Sequence, residues 1–193
     1  MSSEKKYKVI IVGGPSATGK STVAQNLVSN FAKYDHVHLE YLEGDALHSQ
    51  ENIDKMAKGI PLEDKDRWGW LKKIAIKSID VAEMDKDVEK CAVVTCSSLK
   101  KNIENILEKI GKKADFLFII LNASRADLME RMKYREGHFM KANMVDSQLR
   151  DLELPTAEEV KEGVVVEEIG GKSVEQVDAD VLAIAENFFG FDK

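Results

Sequence analysis

Residues 14–21 read Gly-Pro-Ser-Ala-Thr-Gly-Lys-Ser, a spacing of glycines, lysine and hydroxyl that can hold the phosphate groups of a nucleotide. The glycines let backbone N–H groups turn towards phosphate oxygens, and the N-terminus of a following helix adds the positive end of its dipole. Lys20 would reach the β- and γ-phosphates, while the Ser21 hydroxyl would bind a Mg²⁺ ion that keeps most of its waters. We therefore expect ATP-Mg or GTP-Mg to be bound by Gly14, Pro15, Ser16, Ala17, Thr18, Gly19, Lys20, Ser21 and Thr22.

The elements around this loop are those that the motif needs. An apolar run, Val9–Val12, precedes the loop, and residues 22–28 follow it with helical spacing, so the glycines lie between a buried strand and a helix. Strand-like runs then alternate with segments of helical period, which predicts a parallel sheet with helices on both faces, a three-layer α/β/α fold. The five predicted strands are Lys8–Val12, Val37–Leu42, Ala92–Thr95, Phe116–Leu121 and Gly163–Val166.

Apolar residues at helical spacing predict the faces that pack on the sheet. The helix after the loop is expected to bury Val23, Leu27, Val28 and Phe31. A second stripe consists of Ile103, Ile106, Leu107 and Ile110. The last helix is expected to bury Val174, Val177, Val181, Ile184 and Phe188.

The end of the second predicted strand carries two residues that could do chemistry, Asp45 and His48. Ligands collect at the carboxyl ends of the strands in an open parallel sheet, so both residues are expected beside the phosphate loop. A carboxylate there could align a hydroxyl group for phosphoryl transfer and accept its proton. Gly-Asp is also a common turn pair, so an Asx turn or a helix cap explains Asp45 equally well.

The segment that follows contains Asp64, Asp66 and Arg67. The two aspartates have the spacing of a pair of metal ligands. The favoured explanation, however, is that Asp64 caps a helix and that Asp66 complements the dipole of this helix. Arg67 lies next to Trp68 and close to Trp70, where a guanidinium group suits bidentate capture of a substrate carboxylate. The alternative for Arg67 is a surface ion pair with the neighbouring aspartates, which would contribute little.

Composition limits the classes of protein to which the chain can belong. Its 193 residues, 44% of them apolar, suit a single domain spanning residues 1–193. A net charge of −6 and the lack of a basic block argue against nucleic acid as a partner. No apolar run reaches the ~18 residues needed to cross a bilayer, so a cytoplasmic protein is expected.

The two cysteines, Cys91 and Cys96, should lie on opposite faces of one strand as reduced thiols.

Several short motifs together resemble the P-loop gluconokinases, which are relatives of shikimate kinase and adenylate kinase. They occur in the family's order and span most of residues 9–155. Beyond the phosphate loop, the matching stretches are Glu43-Gly44-Asp45-Ala46-Leu47-His48, Asn52-Ile53-Asp54-Lys55-Met56, Gly59-Ile60-Pro61-Leu62, Asp64-Lys65-Asp66-Arg67, Cys96-Ser97-Ser98-Leu99-Lys100-Lys101, Gly137-His138-Phe139, Ser147-Gln148 and Leu152-Glu153-Leu154-Pro155.

The resemblance implies transfer of the γ-phosphate of ATP to the terminal hydroxyl of D-gluconate, which yields the 6-phosphogluconate of the pentose phosphate route. It implies a five-stranded sheet of order 2-3-1-4-5, a mobile lid at about residues 133–143 and a substrate-binding segment at about residues 44–71. Arg131 and Arg135 would act from the lid beside the catalytic Lys20 and Asp45. Residues implied in binding the sugar acid are Asp45, His48, Arg67, Lys100, His138 and Gln148. A homodimer is left open.

The chain departs from the family pattern at two places. Glu104 and Glu108 stand in a stretch where the family carries basic residues, and Gly69 stands where the family has proline. A carboxylate in place of a cation would weaken or redirect the binding of an acidic substrate. Two alternatives therefore stay open beside gluconate phosphorylation: an ATP-binding regulatory protein with little turnover, and a kinase for another small hydroxy acid.

Overall fold

The structure is a computed structural model, and it describes residues 7–60, 62–83, 88–96, 114–133, 141–154 and 163–191. Five strands in this part of the chain form one sheet in which every pairing is parallel. The strands are β1 (Tyr7–Gly13), β2 (Val37–Glu43), β3 (Glu89–Thr95), β4 (Ala114–Asn122) and β5 (Val164–Glu168). Each predicted strand overlaps an observed one, because long apolar runs are typical of strands that are buried on both faces.

The strand order is β2-β3-β1-β4-β5, which confirms the expected order 2-3-1-4-5. Because all the strands are parallel, their carboxyl ends lie at one edge of the sheet. The strand ends at this edge are Gly13, Glu43, Thr95, Asn122 and Glu168. Any ligand site built from strand ends must therefore lie along this edge.

The described helices complete the three layers. They are α1 (Lys20–Phe31), α2 (Gln50–Ala57), α3 (Asp64–Glu83), α4 (Arg125–Met132), α5 (Lys141–Asp151) and α6 (Val174–Phe189). A short 3₁₀ turn, Gly44–Leu47, joins β2 to α2. None of the helices in the described ranges is both long and apolar enough to cross a membrane.

Alternation along β1 divides the interior into two cores. Ile10 and Val12 face the core under α1, α4, α5 and α6, whereas Val9 and Ile11 face the core under α3. Successive residues of a strand point to opposite faces, so one apolar strand supplies both layers. The two cysteines also follow this rule: Cys91 lies in the first core and Cys96 in the second, and both are buried and reduced.

The core stripe expected on the last helix is partly wrong. Val174 is 55% exposed, and the fully packed positions of α6 are Val177, Val181, Ala185 and Phe189. Val174 is the first residue of α6, next to the Ser173 cap. The expected Ile184 and Phe188 lie only partly buried at the border of the core. The stripe at residues 103–110 lies outside the described residues.

Candidate active site at the phosphate loop

The phosphate loop adopts backbone conformations that most residues avoid. Gly14 has a φ of 137° and Gly19 a φ of 81°, and a Cβ on Gly14 would run into the carbonyl oxygen of Leu121 on β4. Ala17 also has a positive φ, 69°, which an L-residue adopts at some cost in strain. Such conformations turn successive N–H groups towards one point, as binding of a phosphate requires.

Side chains of the phosphate loop form hydrogen bonds with the backbone of the loop itself. Lys20 Nζ donates hydrogen bonds to the carbonyl oxygens of Gly14 and Pro15, at 2.9 and 3.1 Å. The buried Thr18 hydroxyl donates to the Pro15 carbonyl at 2.7 Å. The ammonium group of Lys20 is therefore folded across the mouth of the loop, where the phosphates of a nucleotide would meet it.

Glu43, at the carboxyl end of β2, joins the loop to the neighbouring strands. Ser21 Oγ donates to Glu43 Oε2 at 3.0 Å, and Thr95 Oγ1 donates to Glu43 Oε1 at 2.9 Å. The Tyr41 hydroxyl also donates to Oε2. Burial alone would raise the pKa of Glu43, but the hydrogen bonds from Tyr41, Thr95 and Ser21 and the charge of Lys20 bring it below its usual value. Glu43 is thus held as a carboxylate.

This arrangement fits a magnesium ion. A serine hydroxyl and an ionised carboxylate are the oxygen ligands that Mg²⁺ prefers, and the ion commonly takes only one or two protein ligands beside substrate phosphates. Accordingly, the described residues contain no group of three or more His, Cys, Asp or Glu side chains placed to hold a metal alone. Ser21 and Glu43 are the residues that would hold Mg²⁺ together with a nucleotide.

Sequence reasoning assigned no role to Glu43 or Thr95. Both are the last residues of their strands and are paired across the β2–β3 ladder. The carboxyl-end rule that selected Asp45 applies equally to them. The expected strand order already puts β3 next to β2, but the sequence did not reveal the register, which pairs Thr95 with Glu43 and brings the two side chains within reach of each other.

The 3₁₀ turn presents Asp45 at the edge of the sheet. The Gly44 N–H donates to Thr95 Oγ1 at 3.3 Å, and a Cβ on Gly44 would collide with the Thr95 carbonyl oxygen. The turn is thus packed directly on the end of β3. Asp45 is exposed in this turn. Asp45 stays the predicted base, and the described residues leave its side chain available to a substrate.

His48 follows the turn and is almost fully enclosed, with 8% of its surface exposed. Its ring stacks on Trp70 at a centroid distance of 4.1 Å, and Trp70 Nε1 donates to the Gly44 carbonyl at 2.6 Å. Burial is the main reason that the pKa of His48 lies below its usual 6.5; the Asp45 carboxylate opposes this shift and the Arg67 guanidinium adds to it. The imidazole is therefore neutral near pH 7.

The aspartates at the start of α3 act structurally. Asp66 accepts a hydrogen bond from the Glu63 N–H at 2.9 Å and forms an ion pair of 2.9 Å with Lys55 of α2. Asp64 is the first residue of α3. Asp64 therefore lies inside the helix and not at the preceding position expected of a cap, whereas the charge of Asp66 suits the N-terminus of the helix as expected. Arg67 is half-buried in the same turn and acts electrostatically on His48.

Gln148 of α5 lies against the phosphate loop. Its Oε1 accepts a hydrogen bond of 2.6 Å from the Ser16 N–H, a group that was assigned to the nucleotide. Arg131 is half-buried in the last turn of α4. The other predicted site residues Lys100, Arg135 and His138 lie outside the described residues, as does the predicted lid over residues 134–140.

Comparisons with known proteins identify the family of the chain. The family model described as adenylylsulphate kinase matches residues 6–148. A probable gluconokinase of Saccharomyces cerevisiae is 42% identical over 182 residues, covering 94% of this chain and 92% of that protein. The gluconokinase of Gluconobacter oxydans is 38% identical over 154 residues, covering 80% of each chain.

Solved structures give the same result. The crystal structure of a gluconokinase from Sinorhizobium meliloti superposes with a TM-score of 0.74 at 32% identity, covering 98% of this chain and 100% of that chain. An APS kinase of Mycobacterium tuberculosis superposes with a TM-score of 0.69 at 18% identity, which shows a shared fold. The chain therefore belongs to the gluconokinases, within the wider family of P-loop kinases that the adenylylsulphate kinase model describes.

Proposed function

We propose that this protein transfers the γ-phosphate of ATP to the terminal hydroxyl group of D-gluconate, with Mg²⁺ as the metal. One observation carries the proposal beyond family membership: Glu43 contacts both Ser21 of the phosphate loop and Thr95, on which the Asp45 turn is packed. A nucleotide site and a candidate base are therefore joined through one carboxylate. Phosphoryl transfer from a nucleotide to an alcohol requires that the phosphate groups and the base be held in fixed positions relative to each other.

The loop residues would act on the nucleotide. The backbone N–H groups bind phosphate oxygens, and Lys20 exchanges its contacts with the Gly14 and Pro15 carbonyls for the β- and γ-phosphates. The Ser16 N–H becomes available when Gln148 withdraws its side chain. When bound, Mg²⁺ would supply positive charge to the phosphate oxygens, held by Ser21 and Glu43.

The residues after β2 would act on the sugar acid. Asp45 orients the terminal hydroxyl and accepts its proton at the carboxylate as the oxygen attacks phosphorus. Arg67 suits the substrate carboxylate, because a guanidinium can form two parallel hydrogen bonds with it. Arg131, at the end of α4, would place a positive charge near the transferring group.

The direct test is ATP-to-ADP conversion by the purified protein with Mg²⁺, with and without D-gluconate, alongside several other aldonic acids. We expect gluconate-dependent turnover and a product that phosphorus NMR identifies as the 6-phosphate ester. ADP formation that is no faster with gluconate than without it would refute the proposal. A response to a different acid alone would support a kinase for another hydroxy acid, and ATP binding without turnover would support the regulatory alternative.

The role of Asp45 is tested by Asp45→Asn. This change keeps the shape of the side chain and removes its basicity, so kcat should fall by about 10²–10⁴-fold while the Kd for ADP stays unchanged. The matched control is Asp35→Asn, an exposed aspartate before β2, at the opposite edge of the sheet. An Asp45→Asn enzyme with the kcat of the wild type would show that another group accepts the proton.

A further inference from the structure

A buried chain of hydrogen bonds leads from α3 to the ring of His48. Asn52 Nδ2 donates to the Asp66 backbone carbonyl at 2.7 Å and also lies 3.2 Å from His48 Nδ1. A backbone carbonyl can only accept hydrogen bonds, so the amino group of the Asn52 side chain must be the end that faces it. The orientation of this amide is thereby fixed by the backbone of α3.

The fixed amide determines where His48 carries its proton. Because the Asn52 amino group is a donor, His48 Nδ1 must be the acceptor and can carry no hydrogen. The single proton of the neutral ring then lies on Nε2. Among the described residues, none forms a hydrogen bond with Nε2, so within this part of the chain the N–H can donate to a ligand.

Packing holds the ring in this orientation. His48 lies flat on Trp70, with 16° between the ring planes, and Trp70 is itself anchored through Nε1 to the Gly44 carbonyl. Asn52 is 4% exposed and follows Ser49, whose side chain caps α2 by accepting the Asn52 N–H. A rotation of the imidazole would break the stack and the contact with Asn52 together.

We propose that Asn52 is a positioning residue that keeps His48 as a neutral Nε2–H donor to an oxygen of the sugar acid. This inference rests on the proposed function, since it deepens the description of that same substrate site. Asn52 acts through His48 and has no contact with the reacting atoms. It specifies a hydrogen bond that does not change with pH near neutrality.

The charges around His48 agree with a neutral ring. The 3₁₀ turn brings Asp45, which favours the imidazolium, and α3 brings Arg67, which disfavours it. On α2, Lys55 is paired with Asp66, beyond Asn52. Protonation at Nδ1 would also direct an N–H at the Asn52 amino group, where no acceptor exists.

The decisive variant is Asn52→Asp. A carboxylate next to Nδ1 draws the proton of a neutral imidazole to that nitrogen, as the aspartate of a serine-protease triad does. Nε2 then loses its hydrogen and no longer donates to the substrate. Below the pKa of the ring, the imidazolium carries both protons and the donor returns. The gluconate KM of this variant should therefore rise with pH by about 2–10-fold, the value of one hydrogen bond, while kcat changes less.

The gluconate KM of the wild type should not rise in this way between pH 6 and 8. Two-bond ¹H–¹⁵N NMR of the imidazole side chains gives an independent readout, with His48→Gln used to assign the signal. We expect Nε2 to be protonated and Nδ1 to be bare in the wild type, and Nδ1 to gain the proton in Asn52→Asp. Asn30→Asp, an exposed change on α1, is the matched control and should leave both readouts unchanged.

A double variant shows whether Asn52→Asp acts through the proton on His48 or only by changing the local structure. In His48→Gln, whose amide cannot titrate, adding Asn52→Asp should produce no pH step in KM. A proton on Nδ1 in the wild type, or parallel KM profiles for wild type and Asn52→Asp, would overturn the inference while leaving gluconate turnover intact. Absence of gluconate-dependent turnover in the wild type would instead overturn the proposed function together with the inference.

Discussion

A single methyl group added at Gly44 should displace the 3₁₀ turn that carries Asp45 from the end of β3. A Cβ there would collide with the backbone carbonyl oxygen of Thr95, far inside the 3.0 Å that real Cβ atoms keep from other heavy atoms. Neither partner can yield by rotating a side chain, because Gly44 and Thr95 meet through the backbone of adjacent strand ends. In Gly44→Ala, the turn that carries Asp45 must move away from β3.

The size of the effect follows from this displacement. The two backbones would have to separate by about 1 Å, and a misplacement of about 1 Å at a reacting group costs on the order of 10²-fold in rate. Overpacking of a close contact also costs about 1–3 kcal/mol in the free energy of unfolding. We therefore expect Gly44→Ala to lower kcat/KM for gluconate by about 10²-fold while the protein stays folded.

The matched control is Gly69→Ala. Gly69 lies within α3, and a Cβ there meets no atom within 4 Å. Alanine favours a helix over glycine, so this change should raise the free energy of unfolding by about 1 kcal/mol and leave kcat/KM unchanged. The pair therefore compares one added methyl group at a crowded site with one at an open site.

The assay combines the gluconate-dependent formation of ADP with urea unfolding and with ADP binding in the absence of metal. Binding of ADP should persist in Gly44→Ala, because the loop amides of residues 14–19 are built on β1 and α1 and not on the displaced turn. A folded Gly44→Ala enzyme with kcat/KM within about threefold of the wild type would refute the reasoning. In that case the close packing of the turn on β3 would not control the position of Asp45.

Three further outcomes are expected. Glu43→Gln should raise the Mg²⁺ concentration for half-maximal turnover by about 10–100-fold, as measured by metal titration, because the Ser21 hydroxyl loses its charged partner. Gln148→Leu should lower the Kd for ADP by about 2–10-fold in calorimetry, because it removes the Gln148 oxygen that competes with a phosphate for the Ser16 N–H; a raised gluconate KM instead would place Gln148 at the sugar acid. His48 has a pKa below 6.5 in the folded protein, so the unfolded chain binds more protons as the pH falls through 6.5. The free energy of unfolding should accordingly decrease on acidification through that range, and urea melts of His48→Gln should lack this part of the decrease.

The sequence predicted the architecture well because the signals for it are local. A strand buried on both faces must be apolar along its whole length, and the core runs in β1, β3 and β4 satisfied that rule, whereas the run in the edge strand β2 alternates with His38 and Glu40. The stripe on the last helix failed at Val174 because helical spacing predicts which residues share a face, but not which of them other elements cover. The expected charge of Asp66 in the first turn of α3 is observed because charge at a helix terminus is also a local effect, whereas the expected cap missed the start of the helix by one residue, since Asp64 is its first residue.

The site was harder to predict, because its contacts join residues that are far apart in the chain. Ser21 meets Glu43 across 22 positions, Thr95 meets Glu43 across 52, and Ser16 meets Gln148 across 132. No spacing rule links such residues, even with the strand order predicted, until the register of the strands and the packing of the helices are known. The end of β2 and the resemblance to gluconokinases predicted His48 as a site residue, but neither indicated the Trp70 ring and the Asn52 amide that contact it.

By itself, the sequence determined that this chain binds phosphate, since the motif acts through the backbone amides and dipole of contiguous residues. It also determined the alternation of strands and helices and the family to which the chain belongs. Only the tertiary structure decided that Glu43 is held ionised by three hydroxyl groups and that Asn52 controls the proton on His48. Both depend on desolvation and on hydrogen bonds between separate elements, which come into existence only when the sheet and its helices pack.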